Sequence, residues 1–133
     1  MSKKQYLALV ALVVRDYDEA IDFFTKTLGF DLREDTFLPD EGKRWVVVAP
    51  TGVSGPGLLL ARAVGDNQVS RVGDQTGGRV AFFLYTDDFW RDYRKYQENG
   101  VVFVREPKVA NYGTVAVFRD LYGNLWDLIE PRK

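Results

Sequence analysis

Apolar positions along the chain fall into two kinds of run, short β-branched or aromatic stretches and stretches with helical spacing. Tyr6 to Val14 is an apolar run of strand length, and Asp16 then opens a helical pattern with Glu19 placed as in a capping box. Ala20, Ile21, Phe24 and Leu28 fall on one helical face. Gly29 follows where a left-handed C-cap favours a residue without a Cβ, so the spacing predicts a helix over about Tyr17 to Leu28. Strands are predicted at Phe30 to Leu38, near Arg44 to Ala49 and near Leu58 to Ala63, separated by a turn at Pro39-Asp40-Glu41-Gly42 and by the Gly/Pro/Ser segment TGVSGPG.

From Val64 to Gly78 the chain is polar and Gly-rich without periodicity, which reads as a connection, and the pattern then begins again. Arg79 to Tyr85 is strand-like. Asp87 or Thr86 caps a helix carrying Phe89, Tyr93 and Tyr96 on one face, and Gly100 closes it. Val101 to Arg105, Thr114 to Phe118 and Asn124 to Ile129 complete a second set of strands, with Asp120-Leu121-Tyr122-Gly123 as the last turn. Gly100 follows Asp87 at the same interval as Gly29 follows Asp16. Two copies of β-α-β-β-β, residues 1–63 and 79–133 joined by a linker over 64–78, are the simplest account, giving an α+β single domain.

Composition narrows the chemistry. A chain of 133 residues with 46% hydrophobic and 28% charged residues is long enough to bury a core and falls outside the signature of disorder. The formal net charge of −1 makes no field that would attract nucleic acid or anionic lipid. The apolar stretch after the charged N-terminus ends at Arg15-Asp16, too short for a membrane span, and no small-residue cleavage site follows; a cytoplasmic protein is expected. There is no cysteine and no histidine. Disulfides, thiol nucleophiles and Ser-His-Asp hydrolysis are thereby excluded, and the commonest metal ligand is missing. Phosphate loops of the GxxxxGK[ST] and GxGxxG types are absent, and Asp16, Asp18, Asp87 and Asp88 sit at helix starts, where free amides favour acids. NQVSRVGDQTGG, within the connection, reads equally as a flap over a ligand or as a plain linker.

Two segments carry a family resemblance. VVRDYDEAIDFFTKTLGF is similar to the first strand and helix, and FRDLYGNLWDLIEP to the closing motif, of the vicinal oxygen chelate superfamily, which includes glyoxalase I, bleomycin-resistance proteins, fosfomycin-resistance enzymes and extradiol dioxygenases. The resemblance covers almost the whole chain. It implies a curved mixed sheet around a cavity, with two copies of the chain paired as a homodimer, and it leaves the reaction open because one scaffold hosts many functions. Metal-dependent members place a ligand on the first and last strand of each unit. The corresponding positions here are Leu9, Leu60 (with Leu58 as the alternative), Arg79 and Asp127. Two aliphatic side chains and a guanidinium offer no metal-binding lone pair, and one carboxylate cannot hold a divalent ion against water, so no metal and no cofactor is expected.

Arg79 and Asp127 are then expected to point into one cavity, as a buried ion pair oriented toward a ligand or as a relic of a lost site. Period-two alternation puts Ala81, Phe83 and Tyr85 on the face of Arg79, and Leu125 and Ile129 on that of Asp127, with Val80, Phe82, Leu84, Trp126 and Leu128 toward the helices. Phe83 and Tyr85 read as ligand-lining aromatics or as packing residues. The expected function is metal-independent binding of a small, partly aromatic molecule, with Arg79, Asp127, Phe83, Tyr85, Leu9 and Leu60 as ligand contacts. The alternative is a metal-free lyase or isomerase in which Arg79 stabilises negative charge and Asp127 or Tyr85 carries a proton. No nucleophile-base pair supports the enzyme, and a metal-dependent glyoxalase or dioxygenase is disfavoured.

Overall fold

In the computed structural model, which describes residues 3–133, the chain divides into two compact units, Met1–Val69 and Ser70–Lys133. Residues 1 and 2 of the expected first repeat lie outside the described residues. Each unit is one four-stranded mixed sheet with a helix between its first two strands.

In the first unit, β1 (Leu9–Val14), β2 (Asp31–Leu38), β3 (Lys43–Ala49) and β4 (Gly57–Arg62) stand in the order β1-β4-β3-β2, with β1 and β4 parallel and the other pairs antiparallel. The second unit repeats this order: β5 (Val80–Tyr85), β8 (Leu125–Pro131), β7 (Gly113–Arg119) and β6 (Phe103–Ala110), with β5 and β8 parallel. The duplicated β-α-β-β-β pattern is thus the observed fold. Strand limits differ where side chains carry no alternation. Tyr6 and Leu7 are exposed and precede β1, and β6 runs on to Ala110 because two register shifts and Pro107 disturb its period.

Helix α1 (Tyr17–Asp22) starts on Asp16, whose side chain accepts the Glu19 backbone N–H at 3.0 Å. The expected helix to Leu28 is completed by a π-helical turn, Phe23–Thr27. Thr25 Oγ1 donates to the Ile21 carbonyl at 2.7 Å, and the Leu28 N–H reaches back five residues to Phe23. A side-chain hydroxyl competing for an i−4 carbonyl opens the α ladder at that point. Ala20, Phe24 and Leu28 remain buried against the sheet. The first unit ends in a short exposed helix, α2 (Gly65–Val69), inside the expected linker.

Helix α3 (Phe89–Glu98) is capped by Asp88, which accepts the Arg91 N–H at 3.1 Å, rather than by Asp87 or Thr86. It ends in a Schellman motif. Gly100 has φ +88°, its N–H bonds the Gln97 carbonyl, and the Val101 N–H bonds the Tyr96 carbonyl at 2.9 Å. Below α3 the row Phe82, Trp126, Phe118 and Phe103 runs across the sheet, with Phe82 and Trp126 centroids 4.5 Å apart and Tyr93 4.5 Å from Phe103. This aromatic layer forms the second unit's core.

The closing turn is organised by Asp120. Its Oδ1 accepts the backbone N–H groups of Tyr122, Gly123 and Asn124, and its Oδ2 accepts Asn124 Nδ2 and Trp126 Nε1. Asn124 Oδ1 in turn accepts the Gln75 N–H at 3.2 Å, and at Gly73 a Cβ would collide with the Tyr122 carbonyl. The stretch around residues 73–75 is therefore anchored to the closing turn, which decides against a plain linker over this segment.

Candidate functional site

Alternation divides each sheet into a face under its helix and a helix-remote face. In the second unit, Trp126 and Leu128 are buried beneath α3, so Leu125, Asp127 and Ile129 belong to the remote face. Phe83 and Val117 are the direct neighbours of Asp127 on β5 and β7, and Arg105 follows on β6. One row across the sheet thus reads Phe83, Asp127, Val117, Arg105. In the adjacent row Tyr85 lies beside Ile129 and Val115.

Val115, Val117 and Ile129 are buried, whereas Phe83 is 61% and Tyr85 65% exposed, large values for aromatic rings in a strand. Asp127 is half-buried, directly beside Phe83 and one row from Tyr85. Burial raises its carboxyl pKa above the ordinary aspartate value, and the positive charge of Arg105 pulls the other way. Among the described residues no hydrogen bond or ion pair is formed by the Asp127 carboxylate. A half-buried acceptor without a donor beside two exposed rings can take a hydrogen-bond donor or cation on a flat, apolar molecule.

Two of the expected site residues lie elsewhere. Arg79 is exposed in a bend before β5, its carbonyl accepting Thr76 Oγ1, and it forms no ion pair with Asp127. The reason is a β-bulge. Val80 is paired with Leu125 and Phe82 with Trp126, so the register shifts between them and Arg79 leaves the alternation that runs through Phe83 and Tyr85. The charge that Asp127 senses comes from Arg105, which sequence reasoning missed because bulges in β6 hide its register.

In the first unit Leu9, Ala11 and Val13 occupy the helix-remote face, since Leu12 and Val14 are fully buried beneath α1. Leu60 pairs with Leu12 and Val46 and is fully buried, so it packs under the helix, as does Leu58. The remote-face residue is Leu59, partnered by Ala11 and Val47. Three consecutive leucines carry no period-two signal, which is why the expected Leu60, with Leu58 as its alternative, fell one residue out of register.

The family positions on the two units therefore present Leu9, Leu59 and Asp127, with Arg79 displaced. Two aliphatic side chains and one carboxylate do not fit a divalent ion, and among the described residues no group of three or more Asp, Glu, His or Cys gathers. Among those residues no helix is long and apolar enough to cross a membrane.

Residues 6–128 match the family model of the Glyoxalase/Bleomycin resistance protein/Dioxygenase superfamily. The chain belongs to this superfamily. An uncharacterized protein of Shewanella frigidimarina (strain NCIMB 400) is 59% identical over 127 residues, 96% of this chain and 94% of that one. Of solved structures, UcmS2 superposes with a TM-score of 0.83 at 27% identity, covering 96% of this chain and 99% of that one. TnmS3, an antibiotic binding protein from Streptomyces sp. CB03234, superposes with a TM-score of 0.78 at 31% identity, covering 99% and 100%.

Proposed function

We propose that the chain is a metal-independent binding protein for a small, partly aromatic molecule, held on the helix-remote face of the second unit by Phe83, Tyr85 and Asp127. The observation that carries this reading is the half-buried, unpartnered Asp127 carboxylate beside two largely exposed rings. A strand carboxylate that loses hydration without gaining a donor is a cost to the free protein, and a ligand N–H or cationic nitrogen offsets it. The likeness to TnmS3, an antibiotic binding protein, supports the same class of role. Leu9 and Leu59 supply an apolar remote face in the first unit. Arg79 and Leu60 are not assigned ligand contacts, and Arg105 takes the place of Arg79 as the cation that Asp127 senses. Pairing of two copies as a homodimer is part of the proposal and rests on family likeness; a stable monomer in sedimentation would remove it.

The test is a thermal-shift screen of the chain against aromatic amines and aromatic antibiotics, since a ligand of the native state raises the melting temperature by mass action. Hits are then measured by calorimetry on Asp127→Asn and Phe83→Ala. Loss of one charge-assisted hydrogen bond is worth about 1.5–3 kcal/mol, so Asp127→Asn should weaken binding by roughly tenfold to a hundredfold. Hits that bind both variants as tightly as the parent would overturn the site. Turnover of any hit would replace binding with catalysis.

A further inference from the structure

A second candidate site lies in the first unit, apart from the face described above. β3 and β4 are paired only through Val46 to Val48 and Leu58 to Leu60. Beyond that ladder the strands part, and a cleft of about 340 Å³ opens between them, closed at its sides by the Glu41–Lys43 turn and by Val64 and Gln68. Such a volume is at the small end of ligand sites and suits a one-ring molecule.

Its polar lining is rich in donors. Tyr17, a buried residue, forms part of its wall, with its hydroxyl accepting the Arg44 backbone N–H at 3.3 Å and the guanidinium carbons of Arg44 and Arg62 lying 5.1 and 5.6 Å from its ring centroid. The two arginines differ in what they have left to offer. Arg44 Nε and Nη2 donate to the two oxygens of Asp35 and Nη1 donates to Asp18, so its fork is engaged within the fold. Arg62 is exposed, and among the described residues its guanidinium makes no hydrogen bond or ion pair; its contact is with the Tyr17 ring. Gln68 Oε1 accepts the Val64 N–H, which leaves the Gln68 amide N–H groups as donors. Glu41 is the one acid of the lining, and it sits 3.7 Å from Lys43.

We propose that this cleft binds a small aromatic carboxylate, with the Arg62 fork on the carboxylate and the accessible edge of Tyr17 against the ring. A planar guanidinium pairs with a carboxylate through two parallel hydrogen bonds, the geometry that an arginine pre-positioned on a ring face is suited to make.

The test is an amide chemical-shift titration of the full chain with sodium benzoate, with benzyl alcohol and inorganic phosphate as parallel arms and sodium chloride matching the ionic strength. Benzoate is expected to give saturable shifts at Trp45, Arg62, Val64 and Gln68, and benzyl alcohol none. Arg62→Gln, at an exposed position, should weaken benzoate at least about tenfold while the rest of the spectrum stays in place. Equal shifts from benzyl alcohol, equal shifts from phosphate, unsaturable shifts, or benzoate binding unchanged in Arg62→Gln would each overturn the assignment. The benzyl alcohol and phosphate arms need only the parent chain, so they decide the matter even if the variant fails to fold.

Discussion

Replacing Leu60 by Ala and, separately, Leu59 by Ala tests the register on which the site assignment stands. Leu60 is fully buried among Leu12 and Val46, whereas Leu59 is half-buried on the opposite face. Truncating a buried leucine removes apolar surface worth about 2–3 kcal/mol, and the cavity left behind brings the loss to roughly 3–5 kcal/mol. For a chain of this length each kcal/mol corresponds to about 3–5 °C, so Leu60→Ala should melt at least about 10 °C below the parent. Leu59→Ala removes surface that is already partly hydrated and should cost about 1 kcal/mol, a few degrees. Thermal unfolding followed by circular dichroism measures both. A larger loss in Leu59→Ala, or equal losses, would mean that Leu60 faces away from α1 and that the remote face has been misassigned.

Three further outcomes follow from the same geometry. Asp120→Asn turns an amide N–H₂ toward groups that already donate, leaving donors buried without acceptors, and should cost about 2–4 kcal/mol in urea unfolding; an unchanged midpoint would contradict the five-bond cage. Burial raises the Asp127 pKa above its ordinary 3.8, so its contribution to stability is fully present below that value and is lost as pH rises through the folded-state pKa. Asp127→Asn should therefore gain on the parent in denaturant unfolding as pH climbs above about 4, and a relative loss would reverse the sign. Gly73→Ala forces a Cβ against the Tyr122 carbonyl at a positive φ and should destabilise the protein and speed amide exchange around Gln75; unchanged exchange there would mean the segment is not anchored.

The duplicated fold was legible because most of its signals are local. Asp16 with Glu19, Gly29 and Gly100 mark helix ends by chemistry that acts within one turn, and β-branched runs mark strands. What escaped were features set by a single competing contact. The Thr25 hydroxyl turns the end of the first helix into a π turn, and α2 has no buried face to leave a period. The site divides in the same way. Phe83, Tyr85 and Asp127 share one face, as expected, because alternation beyond the bulge carries them there. Arg79 was misplaced because a bulge costs one residue of register, Leu60 because a leucine triplet has no alternation to read, and Arg105 because β6 shifts twice. The Tyr17 cleft depends on where a ladder stops, which pairing decides and sequence does not show.

The most direct test of metal-independent binding at Asp127 is calorimetric titration of EDTA-treated protein with the strongest hit of the aromatic amine and antibiotic screen. Saturable binding is expected to survive EDTA unchanged and to weaken at least about tenfold in Asp127→Asn. Binding that disappears with EDTA and returns with a divalent ion, or that is indifferent to Asp127, would contradict the account.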